Sequence, residues 1–137
     1  MACLFDTNAI SEVFRRKPSA SFIGWLGTLR RSEQFTSTVV VGELLAGTLA
    51  SRDPQVWLER YEKDVITRLT VLPFDLECAR LYGEIRARLR GAGTPIGDPD
   101  TFIAATAVRH GLTVVKAKVR HFERVSGLSV RTFTPGS

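Results

Sequence analysis

Short apolar runs of strand length alternate along the chain with longer stretches whose apolar residues recur every three or four positions, and this alternation sets the expected elements. Ala2-Cys3-Leu4-Phe5, closed by Asp6, reads as a short buried strand over residues 2 to 6, and a helix is expected from Thr7 to about Arg16, ended by Lys17-Pro18. Ser19 or Ser21 starts a second helix carrying Phe22, Ile23, Trp25, Leu26 and Leu29. Residues 34 to 38 form a second strand, after which Val40, Leu44, Leu45 and Leu49 give helical spacing. Asp53-Pro54 restarts the helical pattern, with Val56, Trp57, Tyr61 and Val65 as its apolar face. Thr70 to Phe74 is a third strand, and Asp75 caps a long helix through Ala79, Tyr82, Ile85, Ala87 and Leu89 that Gly91 and Gly93 stop. Asp98-Pro99 opens a further helix bearing Phe102, Ile103, Ala107 and Val108, closed by Gly111; Leu112 to Val115 and Leu128 to Thr132 are the last two strands.

Strands and helices alternating at these lengths predict an α/β fold with a mostly parallel central sheet of about five strands and helices on both faces. No repeat, low-complexity tract or linker divides residues 1 to 137, so one domain is expected. A hydrophobic content of 44% describes an ordinary globule, and no apolar run approaches the ~20 residues of a membrane helix. Asp6, Asn8 and Glu12 interrupt any secretory-type apolar segment near the start, which points to the cytoplasm. Cys3 and Cys78, like His110 and His121, lack the spacing of a metal site.

Charge adds a partner class. The net charge of +5 is gathered in groups: Arg15, Arg16 and Lys17; Arg30 and Arg31; Arg80, Arg86, Arg88 and Arg90. Arg86 and Arg90 share a helix face at i,i+4, which taken alone reads as a solvated helix surface and beside an acidic pocket points to a polyanionic substrate or an acidic partner.

Three acidic segments carry the chemistry. Asp6 ends an apolar strand, Glu43 lies one turn into a helix among Val39, Val40, Val41, Leu44 and Leu45, and Asp98 and Asp100 flank Pro99 at a helix start. Each lies near a strand–helix junction, where open α/β sheets gather ligands. A buried carboxylate must be hydrogen-bonded, ion-paired or metal-bound. Helix capping is the plain alternative for Asp6, macrodipole stabilisation for Glu43, and capping fits Asp98 best, leaving Asp100 the better ligand candidate. Jointly these acids on a basic chain suit a hard divalent cation acting on a phosphodiester.

These segments resemble the PIN-domain ribonuclease family, in particular the VapC-type toxins of type II toxin-antitoxin systems. Asp6-Thr7-Asn8-Ala9-Ile10-Ser11-Glu12 is similar to the family's opening DTNxxSE, Glu43 to Gly47 to its ExxxG block, and Ile96 to Ala105 to its IGxxDxxIAA block. Val71 to Asp75 with Ala79, and Val119 to Val125 with Gly127-Leu128, are also similar to family segments. The resemblance implies a PIN-like three-layer fold. It also implies a Mg²⁺-dependent endoribonuclease toxin, with Mn²⁺ as a substitute ion, cleaving RNA by metal-activated water. By position, Asp6, Glu43 and Asp100 correspond to the acidic triad that is catalytic and binds metal, Asp98 is an accessory metal ligand, and Thr7 contacts the substrate near the scissile phosphate. A cognate VapB-like antitoxin that covers the site, a homodimer or larger toxin-antitoxin complex, and operator DNA reached only through the antitoxin are implied as partners, with no membrane.

The chain departs from the family pattern after Val115, where Lys116-Ala117-Lys118 replaces Thr-x-Asn or Thr-x-Asp. Lys118 then stands at the fourth polar ligand position. As an internal counter-ion it would pair with Asp6 or Asp100 and compete with the metal, leaving an attenuated PIN module that binds antitoxin or RNA with little turnover; turned outward, it would contact an RNA phosphate. Lys116, in place of a small hydroxyl residue, either crowds the pocket or turns to solvent. An unrelated phosphoryl receiver with a Mg²⁺-binding acidic cluster is the remaining alternative, and Pro73-Phe74-Asp75 suits it poorly.

Overall fold

The computed structural model describes residues 1–117 and 122–137. Its first strand, β1 (Cys3–Phe5), is apolar at every position and buried on both faces, as a central strand between two helical layers must be. Strands β2 (Gln34–Ser37), β3 (Thr70–Leu72), β4 (Thr113–Ala117) and β5 (Ser129–Phe133) complete a five-stranded sheet in the order β3-β2-β1-β4-β5, every pair parallel. From β1 the chain builds outward through β2 to β3, then returns to the other side of β1 to add β4 and β5. The sheet therefore has its topological switch point between β1 and β4, where crossovers running in opposite directions along the sheet put helices on both faces.

Local chemistry fixes most helix starts. Asp6 caps α1 (Thr7–Val13), Ser19 caps α2 (Ala20–Leu26), Ser37 caps α3 (Thr38–Leu49) and Asp75 caps α5 (Leu76–Gly91), each by a side-chain oxygen accepting an N–H from three residues on. Pro54 is the first residue of α4 (Pro54–Tyr61), which runs on into a wider π turn over Glu62–Ile66. The last helix, α6 (Asp98–His110), starts one residue earlier than Asp98-Pro99 suggested: Gly97 is its N-cap and Asp98 its first helical residue, because the Asp98 side chain is drawn sideways to α5. Gly111 ends α6 in the left-handed region (φ +64°), a conformation that penalises any residue with a Cβ.

Leu4, Val40, Ile103, Val114, Val115 and Phe122 lie in the core where strands and helices meet. The apolar face expected for α4 is realised only in part: Trp57 and Tyr61 pack edge-on against Phe14, at 6.2 and 5.3 Å between ring centroids, and Val65 is buried, while Val56 is 57% exposed. Trp57 and Tyr61 are one helical turn apart and set the buried stripe; Val56, a residue earlier, is rotated away from it. Helix α1 closes at Val13, short of Lys17-Pro18. The cause is Glu12, whose buried carboxylate accepts the Ser19 N–H at 2.7 Å and the Gly136 N–H at 2.8 Å and pairs with Arg15 at 3.0 Å, pinning both the α1–α2 turn and the C-terminal tail. Among the described residues no helix is long and apolar enough to cross a membrane.

Candidate active site

The switch point brings together residues that lie about a hundred positions apart. In the register of β1 and β4, Phe5 is opposite Val115, and the Asp6 N–H extends the ladder by donating to the Val115 carbonyl at 3.1 Å. The residues that follow, Asp6 and Lys116, thus emerge side by side at the carboxyl end of the sheet. Helix α6 starts over the same edge and contributes Asp100 from its first turn.

Asp6 is 3% exposed and serves two purposes at once. Its Oδ1 accepts the Ala9 N–H at 2.9 Å as the cap of α1, while Oδ2 lies 3.6 Å from the Lys116 Nζ. Burial pushes its pKa up to about 6, a desolvation effect that the Ala9 N–H and the nearby ammonium only partly offset. Lys116, itself 3% exposed, reaches with the same Nζ to within 3.4 Å of the Asp100 Oδ1 and lies over the Phe122 ring, 4.0 Å from its centroid. Two carboxylates, one at the β1–α1 junction and one from α6, therefore converge on one cationic atom.

Glu43 joins through a hydrogen bond. The Thr7 hydroxyl, next to Asp6 in the chain, donates to the Glu43 Oε1 at 3.1 Å, tying α3 to the start of α1. Beside this pair opens a cleft of about 230 Å³ lined by hydroxyls of Ser11, Thr48 and Ser51 and by Trp57 and Tyr61. Asp98 points elsewhere: it accepts from the Tyr82 hydroxyl at 3.0 Å and pairs with Arg86, above the stacked rings of Tyr82 and Phe102. That pairing also commits Arg86 of the basic stripe on α5. Among the described residues, no three side chains of the Asp, Glu, His and Cys types stand close enough together to form a ready-made metal-binding group.

Of the site residues expected from the sequence, Asp6 and Asp100 are joined through Lys116, Glu43 is hydrogen-bonded to Thr7, the neighbour of Asp6 in the chain, and Asp98 sits apart. Lys118 lies outside the described residues. The internal counter-ion expected at that position is supplied by Lys116, which turns into the pocket. The signal that finds it is sheet register: with Phe5 opposite Val115, the residue after Val115 must stand beside Asp6. Phe122, which the motif reading left without a role, forms the apolar wall behind the ammonium.

An open, all-parallel α/β sheet with convergent carboxylates at its switch point defines the class. The chain belongs to the PIN-domain family, whose profile matches residues 3–128. It is 34% identical to the VapC ribonuclease Y4jK of Sinorhizobium fredii, over 93% of this chain and 94% of that protein. It is 35% identical to the tRNA(fMet)-specific endonuclease VapC of Salmonella typhimurium, again over 93% and 94%. Among solved structures, the DNA-bound VapBC of Salmonella typhimurium superposes with a TM-score of 0.86 at 34% identity, covering 96% of this chain and 98% of that one. The likeness to VapC-type proteins and the α/β fold with its parallel sheet are thus borne out. PIN-domain ribonucleases generally work with divalent metal ions.

Proposed function

We propose that the chain is a VapC-like endoribonuclease toxin that cleaves RNA phosphodiesters with the help of Mg²⁺, or Mn²⁺ in its place, and is neutralised by a cognate VapB-like antitoxin. The observation that carries this reading is the convergence of Asp6 and Asp100 on one cationic atom at the sheet's switch point. The donors are hard carboxylate oxygens, one of them on the buried Asp6, a donor set suited to a small hard ion. Asp6 and Asp100, with Glu43 beside them, are the residues that would hold it; Asp98 would be an accessory only after leaving Tyr82 and Arg86. When bound, the ion supplies Lewis-acid charge at the phosphoryl oxygens and lowers the pKa of water.

The chain's own residues do the remaining work. The Ala9 N–H that Asp6 accepts as the cap of α1 fixes its carboxylate, so its second oxygen is held towards the cation seat and does not rotate among rotamers. Glu43 orients the Thr7 hydroxyl, leaving its oxygen lone pairs free to face the scissile phosphate's water shell. Thr7 and Lys118 are the substrate contacts in this reading, and the net charge of +5 favours association with a polyanion. The cleft with Trp57 and Tyr61 adjoins Glu43, so an RNA strand crossing the acids passes aromatic faces.

The VapBC of Salmonella typhimurium, described as DNA-bound, supports an antitoxin partner, and a homodimer or larger assembly with operator DNA reached through the antitoxin belongs to the same reading. The free cysteines Cys3 and Cys78 are compatible with a reducing cytoplasm. The test is direct. Purified protein incubated with structured RNA should cleave it in Mg²⁺ or Mn²⁺, lose that activity in EDTA and lose it in Asp6→Asn. Intact RNA under every metal condition would refute the reading. A neighbouring reading frame encoding a small DNA-binding protein with an Arg-bearing tail should accompany the gene.

A further inference from the structure

The side chain that fills the space between the two converging acids belongs to the protein itself. Lys116 Nζ stands 3.6 Å from Asp6 Oδ2 and 3.4 Å from Asp100 Oδ1, with the Phe122 ring behind it, and the residue is buried. Both acids already direct these oxygens at the ammonium, and a divalent ion held by the same oxygens would bring a second positive centre into a desolvated site where like charges repel strongly. The ammonium and the ion therefore exclude one another.

We propose that Lys116 is a tethered counter-ion occupying the cation seat between Asp6 and Asp100, so that a divalent ion binds only when the ammonium withdraws and Lys116 thereby sets the metal affinity of the site. The proposal rests on the reading of Asp6 and Asp100 as cation-holding acids. Withdrawal breaks two ion pairs and the contact with Phe122, and every part of that cost is subtracted from the ion's binding. A buried lysine with nothing to neutralise would be expensive, and this one is matched to the two acids flanking it. A side chain of threonine length at position 116 leaves the seat open and removes the competing charge.

The experiment is isothermal titration of the purified full chain with MnCl₂, on the parent, Lys116→Thr and Lys116→Met, accompanied by melting curves in EDTA and in Mn²⁺. Both variants should bind Mn²⁺ about tenfold more tightly than the parent or better, the scale on which neighbouring groups tune a metal site. The Asp6→Asn/Lys116→Thr double variant should lose the gain. Both single variants should also melt lower than the parent in EDTA and recover on Mn²⁺, since Asp6 then depends on the ion for its counter-charge. If Lys116→Thr is unfolded without metal, refolding driven by Mn²⁺ and followed by circular dichroism supports the proposal, and failure of Mn²⁺ to refold it or to tighten on Lys116→Met overturns it. Equal affinities in parent and variants, with RNA still cleaved, would overturn the role of Lys116 while leaving the ribonuclease reading intact. No Mn²⁺ binding by any form, with RNA intact, would overturn both.

Discussion

Replacing Asp6 by Asn should make the protein more stable at neutral pH while destroying its site, and the size of the effect follows from the burial of the carboxylate. Asp6 carries a pKa of about 6 in the fold against 3.8 ordinarily. For an acid whose folded pKa is raised, the folded state holds the proton more tightly. Its contribution is thus favourable below about pH 3.8, erodes as pH climbs towards 6, and is a constant penalty above that. At 1.36 kcal/mol per pKa unit, the penalty on the fold is about 3 kcal/mol at about pH 7.5, where Asp6 is held ionised, and about half as much at about pH 5, where the fold instead keeps it mostly protonated while the unfolded chain ionises. Asparagine removes the charge but retains an oxygen that accepts the Ala9 N–H, so the α1 cap survives, and Lys116 keeps Asp100 as its partner. Urea denaturation in EDTA at the two pH values is the assay. The expected result is a variant about 3 kcal/mol more stable than the parent near pH 7.5, with the gap about halved near pH 5. A parent as stable as the variant near neutrality, or a gap indifferent to pH, would show that Asp6 is not held as a desolvated anion and would refute the reasoning.

Thr7→Val keeps shape but removes the hydroxyl that Glu43 accepts; stability should change by about 1 kcal/mol or less, while RNA turnover, read from single-turnover cleavage, falls by about a hundredfold as the acids lose their registration. Glu12→Ala should do the reverse: it orphans the Ser19 and Gly136 N–H groups and Arg15, costing about 3 kcal/mol in urea unfolding with cleavage by the folded fraction retained. Gly111→Ala forces a Cβ into a φ of +64° and should lower stability by about 1 kcal/mol without touching metal binding, measured by the same denaturation and by titration.

Much of the fold is legible in the sequence because each level of its chemistry agrees. Apolar Cys3-Leu4-Phe5 can only be a strand buried on both faces, Asp75 and Ser37 cap helices that their own neighbours specify, and Gly111 stops α6 where the periodicity ends. Legibility declines where a distant residue decides. Helix α1 stops short because Glu12 reaches to Ser19 and to Gly136 at the far end of the chain, and a Cβ on Gly136 would overlap the Lys17 carbonyl, a close approach that no local pattern announces. Position 56 is exposed because α4 is oriented by Phe14, at the end of α1. In the site, Asp6 and Asp100 could be proposed as partners from their places at strand and helix junctions. That Asp98 turns to Tyr82 and Arg86 depends on the packing of α5 against α6, which spacing along one helix does not reveal. Lys116 is the instructive case. Motif alignment drew attention to Lys118, whereas strand pairing selects position 116, since the pairing of Phe5 with Val115 carries Lys116 to Asp6. Register is a property of two strands together, and neither sequence segment contains it alone.

The central claim is that Asp6, Asp100 and the Thr7–Glu43 pair act as one RNA-cleaving centre. Single-turnover cleavage of an end-labelled structured RNA in Mn²⁺, by parent, Asp6→Asn, Asp100→Asn and Glu43→Gln proteins shown to be folded, tests it most directly. Cleavage by the parent and its loss in all three variants, by about a hundredfold or more each, is the predicted result. A parent that leaves the RNA whole, or an Asp100→Asn protein that cuts as fast as the parent, would contradict it.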